Sequence, residues 1–97
     1  MPIYIKTEVI KEEYLVKNYM RKQIINEHIN WINKLHKEGI NIKSGFLVDE
    51  FKKPGAGGLL FLEVETYEDA IEIIKNDPMI KNDIVEWKLN EWININP

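Results

Sequence analysis

No cysteine occurs among the 97 residues. That excludes disulfides, a thiolate nucleophile and any cysteine-ligated zinc, and it fits a cytoplasmic protein. No apolar run approaches the length needed to span a bilayer, and the N-terminus lacks the apolar core of a signal peptide. Nor is there an excess of basic charge: 13 Lys and Arg stand against 16 Asp and Glu, for a net charge of -3. A nucleic-acid binder normally shows a basic face, so the balance weighs against one. Proline and glycine are missing altogether from residues 11–38, which therefore read as helical. What is present, 44% hydrophobic and 30% charged residues, describes one globular domain over residues 1–97 rather than a disordered chain. A domain this small leaves much of its surface wet, and oligomerisation would bury more of it.

Ile3 to Val9 alternates, with Ile3, Ile5, Thr7 and Val9 on one side and Tyr4, Lys6 and Glu8 on the other. This is the pattern of a half-buried strand. A single helix over 11–38 would run roughly 40 Å, far beyond a seven-residue strand of about 23 Å. A break is therefore expected near Asn18 to Arg21, with the main helix from about Met20 to Glu38. Its apolar stripe is Ile24, Ile25, Ile29, Ile32 and Leu35, with His28 inside the stripe. Lys34 and Lys37 suit the negative end of the helix dipole, and Gly39 is the expected residue just past its end.

Lys43 to Glu50 reads as the second strand and Leu59 to Glu65 as the third. Between them, Phe51 to Gly58 is a loop by composition. Thr66 is a good N-cap for a second helix bearing Tyr67, Ala70, Ile71 and Ile74, with Asp69 as its capping partner. Pro78 disfavours helical geometry at Asp77, so that helix is expected to end there. Ile84 to Ile95 is the last strand, with Val85, Trp87, Leu89, Ile93 and Ile95 on one side. The order βαββαβ with right-handed crossovers gives an α+β, ferredoxin-like fold. In it, two helices cover one face of an antiparallel four-stranded sheet. The other face carries leucines and aromatic residues, and a second copy is the simplest cover for it, giving a homodimer with sheets packed face to face.

Antiparallel helices would bring His28, in the first half of helix one, beside Asp77 at the end of helix two. An acceptor on one ring nitrogen fixes the imidazole tautomer and leaves the other nitrogen for general acid or base work. The plainer alternative is a satisfied, semi-buried histidine beside an Asp-Pro turn. His36 lies two turns beyond His28, about 12 Å along the helix, so the two cannot share a metal ion within one chain. No metal site is expected. Asp49 and Glu50 close strand two, and Glu63 and Glu65 lie on strand three; strand-end carboxylates like these are usually solvated, but Asp49 is kept as a candidate binding residue. Lys52 to Gly58 superficially suggests a phosphate cradle. It lacks the helix start that such a cradle needs, and a mobile hairpin loop, with Lys52 or Lys53 attracting an anion, is the better reading. Trp31, Trp87 and Trp92 suit packing or interface roles better than base stacking.

Glu27 to Ile32 around His28, Ser44 to Glu50 with the glycine loop behind it, and Asp77-Pro78-Met79-Ile80 occur in an order that resembles the YciI-like (YCII-related) family. The resemblance implies a dimeric α+β barrel, with His28 and Asp77 as an active-site pair. It also aligns Ser44-Gly45-Phe46 with a recurrent Ser/Ala-Gly-Pro segment, in which Phe46 here replaces the usual proline. Ser44 then donates into the cleft as a substrate-binding residue. The family and its structural superfamily include a dehydrochlorinase acting on a chlorinated hydroquinone, isomerases and cofactor-free monooxygenases. The resemblance therefore implies cofactor-independent acid–base chemistry of lyase, isomerase or dehydrochlorinase type on a small cyclic or aromatic molecule. The alternative is a non-catalytic small-molecule-binding or regulatory dimeric module. Neither reading requires nucleic acid or a membrane.

Overall fold

The computed structural model describes residues 1–96. The chain runs β1 (Ile3–Ile10), a single 3-10 turn (Glu12–Tyr14), α1 (Asn18–Lys37), β2 (Asn41–Val48), β3 (Pro54–Glu63), α2 (Tyr67–Ile74), α3 (Pro78–Lys81) and β4 (Val85–Trp92). The four strands form one antiparallel sheet in the order β2-β3-β1-β4, the ferredoxin-like arrangement expected from βαββαβ. Among the described residues no helix is long and apolar enough to cross a membrane.

The break in the first helical stretch lies just before Asn18, slightly earlier than expected. Lys17 is its non-helical boundary residue, and the 3-10 turn precedes it. Ile24, Ile32 and Leu35 form the buried stripe of α1, whereas Ile29 is exposed and leaves the stripe. Gly39 ends the helix as expected, in left-handed geometry at φ 85°. The Gly39 and Ile40 amides bond back to the carbonyls of His36 and Leu35, the paired hydrogen bonds of a Schellman motif.

The glycine-rich segment is not a loop. Pro54 to Glu63 is one continuous strand; its Gly58 to Glu63 part pairs with β1 and β2 together, and Pro54 pairs with Val48 of β2. Pro54 starts it, where the missing amide is tolerated. Gly57, at φ 95°, supplies the one place where β3 crosses tightly over β1: a Cβ there would stand 2.3 Å from the Glu8 carbonyl oxygen. The hairpin tip is correspondingly short and is closed by Asp49.

The second helical stretch also differs from expectation. Thr66 caps α2, accepting from the Asp69 amide at 3.0 Å. However, α2 ends at Ile74, and Asp77 starts a separate short helix. Its carboxylate accepts from the Met79 amide at 2.9 Å, with Pro78 in the first helical position. Proline there is preorganised for a helix start and needs no amide partner.

The helices cover the side of the sheet that carries Tyr4 and Lys6 on β1, Ile42 on β2, Leu60 and Leu62 on β3, and Leu89 on β4. With Ile32, Leu35, Ala70 and Ile74 these form the main core, and each buried Leu or Ile stabilises it by about 1.5–3 kcal/mol. A smaller cluster joins Ile24 to Met79, Ile84 and Val85 and docks α3 against the first half of α1. The apolar side of β1 (Ile3, Ile5, Val9) is therefore turned away from the helices, and its polar side is turned towards them.

Candidate active site

This inversion buries a charge. Lys6 sits in the middle of a central strand, is 1% exposed and points under the helices. A lone ammonium there would carry a desolvation penalty of several kcal/mol. It is compensated from two sides. Lys6 Nζ lies 2.5 Å from Asp77 Oδ2 and is in contact with Glu8 Oε1. Asp77 is fully buried. Its second oxygen, Oδ1, accepts from the Met79 amide and stands 2.7 Å from His28 Nδ1. His28 Nε2 in turn lies 2.7 Å from Ser44 Oγ. A continuous polar chain thus runs Glu8–Lys6–Asp77–His28–Ser44, from the sheet interior to an exposed hydroxyl.

Each link has a local cause. Asp77 is held because it caps α3, so the backbone itself aims the carboxylate back at α1. Docking of α3 on Ile24 brings that cap opposite His28, one turn further along α1. Ser44 lies opposite Leu60, which lies opposite Lys6 in the register, so Ser44 shares the helix-covered side with the lysine. Trp31 flanks the imidazole, ring centroids 5.7 Å apart.

The electrostatics follow from the same contacts. Burial pushes the Asp77 carboxyl up. The His28 hydrogen bond and the Lys6 charge more than offset that, and the net effect holds it below its ordinary value. An ionised carboxylate only accepts hydrogen bonds. Nδ1 therefore carries the ring proton and donates to Asp77. In the neutral ring Nε2 is then left with its lone pair and accepts from the Ser44 hydroxyl.

The structure brings together His28, Asp77 and Ser44. It sets Asp49 apart from them. The Asp49 carboxylate accepts from the Phe51 and Lys53 amides at 2.8 and 3.0 Å and so closes the hairpin tip. Five residues of strand separate it from Ser44, about 16 Å. His36 contacts the Ile42 carbonyl through Nε2, joining the end of α1 to β2. Among the described residues, no three His, Asp or Glu side chains are grouped as a metal site.

His28 is 11% exposed and opens to solvent beside Ser44, not on the floor of a deep cavity. Two surface grooves lie elsewhere. One, of about 680 Å³, runs along Val9 to Glu13 and Glu86. The other, about 510 Å³, is lined by Thr7, Glu8, Val9, Leu47, Ala56, Gly58, Glu86, Trp87 and Lys88. It borders the polar chain only at Glu8.

Lys6 and Glu8 are the members of the site that the sequence alone does not single out. A usable signal was present: a lysine in the centre of β1, which is an inner strand of a ferredoxin-like sheet, cannot reach the sheet edge and so must find a partner.

The YCII-related domain model matches residues 4–93. Among solved structures, the chain is similar to the 5-chloro-2-hydroxyhydroquinone dehydrochlorinase TftG from Burkholderia phenoliruptrix AC1100, in complex with 2,5-dihydroxybenzoquinone. The TM-score is 0.70 at 17% identity, over 95% of this chain and 94% of that one. It is also similar to a de novo designed protein, Ferredog-Diesel, with a TM-score of 0.60 at 10% identity, over 93% and 84% of the two chains. No curated protein matches. At these identities the likeness is one of fold, and a designed protein sharing the fold illustrates that function must be argued from the site.

Proposed function

The chain belongs to the YCII-related domain family, and from that premise we propose that it is an acid–base enzyme acting on a small cyclic or aromatic molecule, with His28 moving the proton. The carrying observation is the pair of 2.7 Å contacts on either side of the imidazole. Asp77 fixes the tautomer and stabilises the imidazolium that forms when Nε2 takes a proton. Ser44 keeps the lone pair aligned until a substrate hydroxyl or acidic C–H replaces it. In an elimination of the dehydrochlorinase type, Nε2 takes the substrate proton, the released electron pair forms the new double bond and chloride departs. The imidazolium then returns its proton to water.

The test is turnover of a panel of hydroquinones and enolisable cyclic ketones in deuterated water, read by NMR. The neighbour's 5-chloro-2-hydroxyhydroquinone is included and followed by chloride release. The wild type is expected to exchange or eliminate on at least one of them, and His28→Gln to be slower by about 100-fold or more. Equal rates for the two proteins would remove His28 from the chemistry.

A second reading rests on Nε2 being already engaged by Ser44, and on His28 lining neither of the two grooves described. It is a binding or regulatory module, in which a ligand stabilises the protein and is recovered unchanged.

The proposal includes a homodimer in a cytoplasmic setting. Val9, Leu47, Leu59 and Trp92 are exposed on the helix-free side of the sheet, beside Ile3, Ile5 and Phe61. Lys43, Lys88, Glu63 and Glu86 alternate with them. A second copy related by a two-fold axis would cover the apolar residues and set lysines against glutamates.

A further inference from the structure

The polar chain holds one negative charge more than Lys6 balances. Lys6 Nζ stands 2.5 Å from Asp77, and that pair alone is neutral. Glu8 is a second carboxylate on the same ammonium. It lies two residues from Lys6 on an inner strand, so it shares the helix-covered side, and its side chain is 10% exposed. A carboxylate so nearly buried is costly unless a cation faces it. The adjoining rows of the sheet supply none besides Lys6. Glu8 stands between Gly58 and Trp87, and Lys6 between Leu60 and Leu89, with Ser44 beyond Leu60 on β2. From the helices, α3 contributes Asp77, and α1 contributes His28 with Trp31 beside it. The imidazole is the group among these that can gain a positive charge.

We propose that Glu8 is a positioning residue of the acid–base site. It holds Lys6 and so leaves the charge of Asp77 to the imidazolium that His28 becomes on taking a proton. Two anions then face two cations, Glu8 with Lys6 and Asp77 with His28. Without Glu8, Lys6 neutralises Asp77 and the imidazolium stands as an excess positive charge. The assignment deepens the acid–base reading and rests on it only for the reaction that the proton serves.

The geometry makes the coupling strong enough to measure. Three contacts of hydrogen-bond length and the width of one carboxylate separate Glu8 from His28 Nδ1, no more than about 10 Å. Both side chains are almost covered, at 10% and 11% exposure, so salt screens them little. One charge at that range changes the hold on a proton by about tenfold.

Gly58 gives Glu8 its place. Unlike Gly57, it has no positive φ that would itself favour glycine. A Cβ there would stand 3.3 Å from Glu8 Cγ, 3.6 Å from Glu8 Cδ and 3.3 Å from the Gly45 carbonyl oxygen. The Glu8 side chain thus lies across the bare Gly58. A methyl group at that position, backed by the Gly45 carbonyl, pushes the Glu8 carboxylate off Lys6 while leaving its charge in the protein.

The test is the pH titration of the His28 ring, followed by NMR on 15N-histidine-labelled protein without substrate and assigned against His28→Gln. Glu8→Gln keeps the shape and removes the charge. It is expected to lower the His28 midpoint by about one pH unit. Gly58→Ala is expected to lower it by less. The double variant should match Glu8→Gln, because Gly58 acts through Glu8. Glu86→Gln removes the same charge from an exposed residue on the helix-free side and is expected to leave the midpoint in place. An unmoved or raised midpoint in Glu8→Gln, or an equal shift in Glu86→Gln, would overturn the assignment. Should Glu8→Gln not fold, an unmoved midpoint in Gly58→Ala would overturn it instead. The titration needs no turnover, so failure of every substrate probe leaves this result standing. An unmoved midpoint, in turn, removes Glu8 and leaves His28 untouched.

Discussion

His28 Nδ1 and Asp77 Oδ1 lie 2.7 Å apart across 49 residues of sequence, and the same Asp77 oxygen caps α3. One atom thus anchors a helix start and orients an imidazole. Asp77→Asn disturbs both duties at once. The amide has one acceptor, and with that oxygen turned to the Lys6 ammonium its nitrogen takes the Oδ1 position, against both the Met79 amide and His28. A nitrogen facing His28 forces Nδ1 to accept and moves the ring proton to Nε2. The expected outcome is a changed tautomer in the 15N spectrum of His28 and a loss of turnover of about 10²–10⁴. An unchanged tautomer with full activity would show that Asp77 serves only the helix.

Acid should expose the same carboxylate thermodynamically. The Asp77 pKa is lowered in the fold, so the unfolded chain binds its proton more tightly than the native one. The ionised group therefore contributes stability that is present above about pH 4, the unfolded value, and is lost as the pH falls through the lower folded value. Urea unfolding at pH 7, 5, 4 and 3 is expected to show a steeper loss below pH 4 in the wild type than in Asp77→Asn. Parallel curves would contradict the linkage.

The strand order and the His28–Asp77 approach were legible because each follows from the sequence of elements and from antiparallel helices. Three features were not. Alternation in β1 shows which residues share a side, but not which side the helices cover. Lys6 therefore drew no role from the pattern, although it is the buried hub of the polar chain. Pro54 to Gly58 has loop composition, yet it continues β3: Pro54 pairs with Val48, Gly58 pairs with Phe46 and Glu8 on its two sides, and Gly57 passes close to the Glu8 carbonyl. Asp77-Pro78 satisfies the rule for ending a helix and equally the rule for starting one. Only the Met79 amide, pointing back at the carboxylate, decides between them. Asp49 misled for a related reason, since an aspartate at a strand end and one closing a hairpin look alike until the amides are placed.

Leu59→Glu tests the proposed homodimer. Leu59 is 38% exposed on the helix-free side, next to Phe61 on the same strand side. A glutamate there is tolerated by a single chain but would be buried without a fixed partner if two sheets met face to face. Light scattering at micromolar concentration is expected to give a dimer for the wild type and a monomer for Leu59→Glu, with circular dichroism unchanged. A monomeric wild type would leave the apolar side without the proposed cover.

Lys6→Met probes the centre of the polar chain. Methionine fits the volume and restores an apolar residue between Leu60 and Leu89, its neighbours in the register. It also leaves Glu8 without its contact and Asp77, fully buried, with only His28 and the Met79 amide. Breaking one side of a buried pair costs about 3–5 kcal/mol, more than the added packing returns. Urea unfolding at pH 7 should show a destabilisation of that order. The gap should narrow towards pH 4, where the orphaned Asp77 carboxylate takes up a proton and its unpaired charge disappears. A Lys6→Met variant as stable as the wild type at pH 7 would mean that the lysine is not what balances Asp77.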